Sequence, residues 1–184
     1  MFAHMPGLRV VIPSSPARAY GLLLAAIRDP DPVVFLEPNR IYRLVKQEVA
    51  DDGKALPLDT CYILREGEDV TIVSTGLLLG FCEAVADKLA AEGIGCDVID
   101  LRTTSPIDEE TILDSVEVTG RLVVVDEAPP RCGLAADIAA LVAAKAFSSL
   151  KAPPELVTPP HTPIPFAREL ESAGLVAAVT EAHC

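Results

Sequence analysis

Asp69-Val70-Thr71-Ile72-Val73-Ser74-Thr75-Gly76 is an apolar run of strand length that ends on a glycine. Leu78, Phe81, Cys82, Val85 and Leu89 then recur at helical spacing, and Gly93 supplies the stop. The same unit repeats outward. Residues 96–101 read as the next strand, Ser105-Pro106 introduces a short helix carrying Ile112 and Val116, and Gly120 closes it. Residues 121–125 form a third strand, Leu134, Ile138, Leu141 and Val142 mark an alanine-rich helix, residues 155–158 a fourth strand and residues 175–182 a terminal helix. Strands apolar at successive positions are buried on both faces. Their alternation with helices predicts an α/β fold with a doubly wound, mainly parallel sheet.

Upstream, Leu8-Arg9-Val10-Val11-Ile12 lies between Pro6-Gly7 and Pro13 and reads as another buried strand. Ser14-Ser15-Pro16 opens a helix over residues 16–28 with Tyr20, Leu23, Leu24 and Ile27 at helical spacing, and Asp29-Pro30-Asp31-Pro32 breaks it. With the run at residues 33–37 this makes one βαβ unit. A strand so near the first residue has little chain before it to cover its sheet, so residues 1–50 read as part of a domain. Residues 51–60 are assigned as a linker and 61–184 as a second domain. Exposed apolar surface is expected around residues 8–37, leaving the first 50 residues mobile, rearranged or dimerised.

The 184 residues are 50% hydrophobic, and 15 Lys plus Arg against 27 Asp plus Glu give a net charge of -12. Such a chain is repelled by nucleic acid phosphates and anionic lipid, and its complement is a basic protein partner. No apolar run reaches the roughly 18 residues of a membrane span, so no membrane partner is expected. The five cysteines, at positions 61, 82, 96, 132 and 184, include no Cys-x-x-Cys pair. They are read as reduced thiols, mostly buried, in a cytosolic-type compartment.

In open α/β sheets ligands gather at the carboxyl ends of strands. That singles out Asp100 with Arg102, Asp126 with Glu127, and the turn Thr75-Gly76-Leu77-Leu78-Leu79-Gly80 as an anion cradle. Each has a plainer reading: strand-end charges cap helices or form ion pairs, and the glycines serve turns and packing. Glu127 stands out because Ala128-Pro129-Pro130 fixes the loop after it. His4, His161 and His183 are too scattered to build a base or a metal cluster, and no catalytic residue is assigned.

Longer motifs carry a family resemblance. His4 to Val11, Pro13 to Pro16 and Gly21-Leu22-Leu23 resemble the beta subunit of the thiamine-diphosphate-dependent decarboxylase component of 2-oxo acid dehydrogenase complexes, in its carboxy-terminal portion. Arg65 to Val73, Asp97 to Thr103, Thr119 to Val124 and Glu127-Ala128-Pro129 resemble the same family in the same order. Phe35-Leu36-Glu37-Pro38 with Ile41-Tyr42-Arg43 looks closer to branched-chain than to pyruvate enzymes. The resemblance implies a remnant of the thiamine pyrimidine-binding domain over residues 1–50 and a transketolase carboxy-terminal-like domain over 61–184. It implies thiamine diphosphate and magnesium in the whole enzyme, with the motifs that bind them lying outside this chain. It also implies an alpha subunit, a dihydrolipoyl acyltransferase core and a beta-beta contact as partners.

Potassium is the one family site implied to survive, at Ala26, Ile27, Asp29 and Asp31, where a simple helix stop is the competing reading. Asp31 stands where the family commonly has asparagine, His161 where it has aspartate, and Cys132-Gly133 where it has Gly-Gly. The expected location is the bacterial cytoplasm, or the mitochondrial matrix in a eukaryote, and the chain alone is expected to be inactive. The alternatives are a non-catalytic interaction module, or a beta subunit of acetoin dehydrogenase or another transketolase-like enzyme.

Overall fold

The computed structural model describes residues 1–39, 42, 46–163 and 167. The predicted helix at 175–182, His183 and Cys184 lie outside them.

Among the described residues eight strands and four helices follow in order: β1 (Arg9–Val11), α1 (Pro16–Arg28), β2 (Val33–Phe35), β3 (Tyr62–Arg65), β4 (Val70–Ser74), α2 (Leu79–Ala91), β5 (Cys96–Asp100), β6 (Thr103–Ser105), α3 (Glu109–Thr119), β7 (Leu122–Val125), α4 (Leu134–Lys145) and β8 (Glu155–Val157). Five strands form the larger sheet in the order β3-β5-β4-β7-β8. All its pairings are parallel except that of β3 with β5. Successive residues of each strand feed opposite cores, as period-two geometry requires. Val73 and Ile99 join Ile112, Val116, Ile138 and Val142 on the α3 and α4 side. Ile72 and Val98 join Leu79, Cys82 and Ala86 on the α2 side. Helices on both faces make the sheet doubly wound, as the strand patterning predicted.

The smaller sheet has the order β2-β1-β6. β1 runs parallel to β2, completing the expected βαβ unit around Val11, Leu22 and Leu58. β6 was not anticipated. Its three residues, Thr103-Thr104-Ser105, are too few and too polar for a strand pattern, yet they pair antiparallel with β1, Val11 opposite Thr103. β3 was also missed, because its seat on the sheet edge leaves Tyr62 and Ile63 exposed and erases the alternation.

Two helical stripes differ from expectation. On α1 the buried positions are Gly21 and Leu22, while Leu23 and Ile27 are 42% and 72% exposed. On α2 the seated set is Leu79, Cys82 and Ala86, and Phe81 and Val85 face outward. The cause is that α1 and α2 are apolar on more than one side, so periodicity alone cannot choose the face that packs. Residues assigned as a linker lie along α1: Leu56 N–H donates to the Gly21 carbonyl at 3.0 Å, and Leu58 is buried.

Candidate functional site at the junction of the two sheets

Chain leaving β5 crosses from the larger sheet to the smaller, and the polar residues collect at this crossing. Asp100, the last residue of β5, is fully buried. Ser14 Oγ–H donates to its Oδ2, the Arg102 backbone N–H donates to Oδ1 at 3.2 Å, and Arg18 Nη1 stands 3.7 Å from Oδ2. Arg102 adopts φ +54°, a left-handed conformation that redirects the chain into β6, and its carbonyl accepts from Ile12 N–H at 2.7 Å. The expected pair of Asp100 with Arg102 therefore meets through the backbone, and the charged partner is Arg18. Burial pushes the Asp100 carboxyl upward, opposed by the Ser14 hydroxyl and the two arginines. Burial also lowers Arg102. Sequence reasoning missed Ser14, Arg18 and Tyr62 here, since only the fold brings them to Asp100 across such separations.

The other strand ends take the plainer roles. Asp126 accepts from Ala128 N–H at 3.0 Å and from Ala135 N–H at 3.2 Å, capping the first turn of α4. Glu127, next in sequence, is exposed. In the Thr75 to Gly80 turn, Gly76 takes φ +59° against Ile12 and Pro38, so this glycine serves geometry and close packing. His4 and His161 are exposed. Among the described residues no group of three His, Cys, Asp or Glu gathers to hold a metal ion. Cys61, Cys82 and Cys96 are buried and Cys132 exposed, all free. Burial pushes the Cys61 thiol up to about 12 and that of Cys82 to about 11, so both stay protonated and neither is a nucleophile.

At the end of α1, Ala26 and Ile27 occupy the last turn and Asp29 is the extended cap residue. Pro30 and Pro32 have no N–H, and the N–H of Asp31 donates to Asp29 Oδ1 at 2.9 Å. The i+4 donors that the carbonyls of Ala26, Ile27 and Arg28 would need are thereby missing or used, which fits the carbonyl oxygens a hard cation takes. The carboxylates are turned to Arg9, whose Nε lies 3.3 Å from Asp29 and 3.7 Å from Asp31.

A second buried carboxylate lies inside the larger domain. Asp97 receives the Ser115 hydroxyl, which continues to Thr71 at 2.7 Å and on to Thr119 at 2.8 Å, while Asp97 Oδ1 has no partner. An acidic residue within an apolar strand was the sequence signal for it. Burial raises its carboxyl, the Ser115 bond opposing and Glu66 reinforcing the rise. With the folded-state value above the ordinary 3.8, the folded chain holds more protons than the unfolded one just above that pH. The resulting stability is full below 3.8 and is lost as pH climbs through the folded-state value. Asp97→Asn should remove this slope and gain about 1 kcal/mol over the parent at neutral pH. Urea unfolding at about pH 4 and about pH 7 checks it; equal slopes in parent and variant would contradict the assignment.

Comparison with known proteins places this geometry. The model of the transketolase C-terminal domain matches residues 59–179, and that of the transketolase pyrimidine binding domain matches residues 1–45. The chain belongs to the transketolase C-terminal domain family. In this transketolase-type chain the larger sheet is the carboxy-terminal domain, and the smaller sheet holds part of a pyrimidine-binding domain. A beta subunit of acetoin:2,6-dichlorophenolindophenol oxidoreductase from Cupriavidus necator is 53% identical over 93% of the chain and 50% of that subunit. A pyruvate dehydrogenase E1 beta subunit from Acholeplasma laidlawii is 49% identical over 91% and 51%. A mitochondrial 2-oxoisovalerate dehydrogenase beta subunit from Arabidopsis thaliana is 44% identical over 91% and 47%. The chain thus spans about half the length of the curated relatives it matches. A split-gene transketolase, solved as an inactive beta4 tetramer, superposes with a TM-score of 0.77 at 26% identity, covering 98% of this chain and 59% of that one.

Proposed function

We propose that the chain is the carboxy-terminal portion of a beta subunit from a thiamine-diphosphate-dependent dehydrogenase, of the acetoin-cleaving type. The observation that carries this reading is the 53% identity to an acetoin enzyme's subunit across both domain segments, above the identities to the pyruvate and 2-oxoisovalerate subunits. That order favours the acetoin alternative over the branched-chain leaning of residues 35–43. Oxidative decarboxylation of pyruvate is the second reading, supported by the 49% identical relative.

The coenzyme, when bound to the whole enzyme, supplies the carbanion-stabilising electron sink. The reading assigns no thiamine or magnesium contact to this chain, so no chemical step is routed through its residues. What the chain contributes is position: the β1–β6 pairing and the Asp100 cluster lock the end of the pyrimidine-binding segment to the carboxy-terminal domain. Potassium at the carbonyls of Ala26, Ile27, Asp29 and Asp31 would brace the same segment; Pro30 offers no N–H to the Ala26 carbonyl, and the Asp31 N–H that would serve Ile27 is taken by Asp29. The remaining parts of the reading are an alpha subunit, a beta-beta contact, an acyltransferase core that accepts the acyl group, and a cytoplasmic or mitochondrial-matrix location. An acidic chain suits a basic docking domain through steering.

The test joins this chain to the preceding half of the Cupriavidus necator subunit and supplies that enzyme's alpha subunit, coenzyme and dichlorophenolindophenol. Acetoin-dependent dye reduction is expected, with none from the chain alone. Turnover of pyruvate but not acetoin would move the reading to the pyruvate enzymes. An assembled chimera inert with both would overturn it.

A further inference from the structure

Helix α4 has only two charged residues along its length, Asp137 and Lys145, and Lys145 is turned to Glu109 of α3. Its inner face is the buried set Ala135, Ile138 and Val142. The outer face is apolar as well. Ala140, Ala143 and Ala144 are exposed and Ala136 is half-buried, and their spacing of three and four residues sets them in one row. A helix that is apolar on every side is ordinarily covered. Helix propensity accounts for the alanines, but not for Phe147, 75% exposed just past the end of α4, or for Val118, 60% exposed near the end of α3. The two helix ends are tied together. Lys151 donates through its backbone N–H to the Gly120 carbonyl at 2.7 Å and through Nζ to the Thr119 carbonyl at 2.9 Å.

This face is remote from the smaller sheet. α4 packs on β7 and β8, whereas the chain passes to the smaller sheet from β5, on the other side of β4. Chain that completes the pyrimidine-binding segment therefore has its place at the smaller sheet and leaves α4 open. The alanine row also holds no charge with which to select a charged partner. Asp137 flanks it, and Asp114 and Glu117 are exposed on the neighbouring α3. Within a chain of net charge -12, the row is a strip on which two copies can touch without setting carboxylate against carboxylate. Its shape is self-complementary, because a bulky aromatic stands at one end of a flat of small residues.

We propose that the α4 face is a contact between two copies of this chain, paired antiparallel about a two-fold axis. With the axis between Ala140 and Ala144, Phe147 of each copy lies on the flat around Ala136 and Ala140 of the other, and the alanines let the helices approach closely. The two Asp137 residues then stand about 15 Å apart along the pair. The inference rests on the beta-subunit reading above in that it gives the beta-beta contact a surface; its argument uses this chain's own residues. The row is about 17 Å long, a smaller contact than the roughly 800 Å² per side of a stable complex. Pairing is therefore reversible, with a Kd of about 100 μM.

Sedimentation velocity of the full chain in reducing buffer, from about 5 to about 500 μM and at about 0.05 and about 0.5 M sodium chloride, tests it. A monomer–dimer equilibrium is expected that tightens about threefold at the higher salt, because screening relieves the repulsion between two acidic copies. Phe147→Ala and Ala140→Glu, both changes at exposed positions, should each weaken pairing about tenfold. Leu23→Glu, on the exposed side of α1, should leave it unchanged. A chain that stays monomeric throughout overturns the contact, as does pairing that survives both α4 changes and is lost in Leu23→Glu. Pairing that weakens with salt overturns it too, since ionic groups would then carry the association. None of these outcomes bears on acetoin turnover by the chimera, so this contact and the enzyme reading fail separately.

Discussion

Asp100→Ala is expected to cost about 3–5 kcal/mol of folding stability, because it removes a fully buried carboxylate that pairs with Arg18 and offsets the charge of buried Arg102. The cost has two parts. Arg18 loses its countercharge at 3.7 Å, and the Ser14 hydroxyl and Arg102 N–H lose their acceptor at the junction. Added salt should recover little of it, since Asp100 has no exposed surface for ions to screen. The double variant Arg18→Ala with Asp100→Ala should be less destabilised than the sum of the singles by about 0.5–3 kcal/mol. Urea midpoints of the four species measure this directly. A single-variant cost below about 1 kcal/mol would mean that the junction does not depend on charge pairing. The larger consequence is structural: losing the cluster should loosen β6 from β1 before it loosens the five-stranded sheet. Hydrogen exchange at Ile12 N–H, which donates to Arg102, would report that order.

Much of the larger sheet was legible because its strands are buried on both faces. Ile72-Val73 and Val98-Ile99 are adjacent apolar residues that serve opposite cores, so a continuous apolar run was the correct sign for each strand. Helix faces were less legible. Phe81 and Val85 fit the helical period as well as Cys82 and Ala86 do, and the choice between them belongs to the sheet beneath. The junction was legible in two members only. Asp100 and Arg102 stood out at a strand end, but Ser14, Arg18 and Tyr62 reach them through β1, α1 and β3, whose mutual placement no local pattern encodes. β6 is the extreme case: Thr103-Thr104-Ser105 becomes a strand because Val10 and Val11 need an edge partner, a tertiary demand that overrides weak local preference. Asp97, by contrast, was visible in principle as a charge within an apolar strand, and its use became clear only with Ser115 and Thr71 beside it.

Gly67 lies in a stretch that the family resemblance marks but that no periodicity explains, and it yields the second large expected effect. A Cβ there would sit 2.4 Å from the Cys96 carbonyl carbon and 2.5 Å from its nitrogen, backbone atoms of the strand at the centre of the α2-side core. The backbone of β5 cannot yield cheaply, because Cys96 opens a strand paired on both sides. Moving the turn instead would pull Asp69 from Gly95, where Asp69 Oδ2 accepts from Gly95 N–H at 2.7 Å and Asp69 N–H donates to the Gly95 carbonyl at 2.9 Å. Gly67→Ala is therefore expected to destabilise by about 3 kcal/mol, combining overpacking with weakened bonds at the β3 to β4 turn. Gly80→Ala is the matched contrast. Gly80 sits in α2 with open space around an added Cβ, so the same substitution should stabilise by about 0.5 kcal/mol through helix propensity. Thermal melts of the two variants should move in opposite directions from the parent. A Gly67→Ala melt that coincides with the parent would show that the turn yields freely, and the close approach to Cys96 would then not be what requires glycine there.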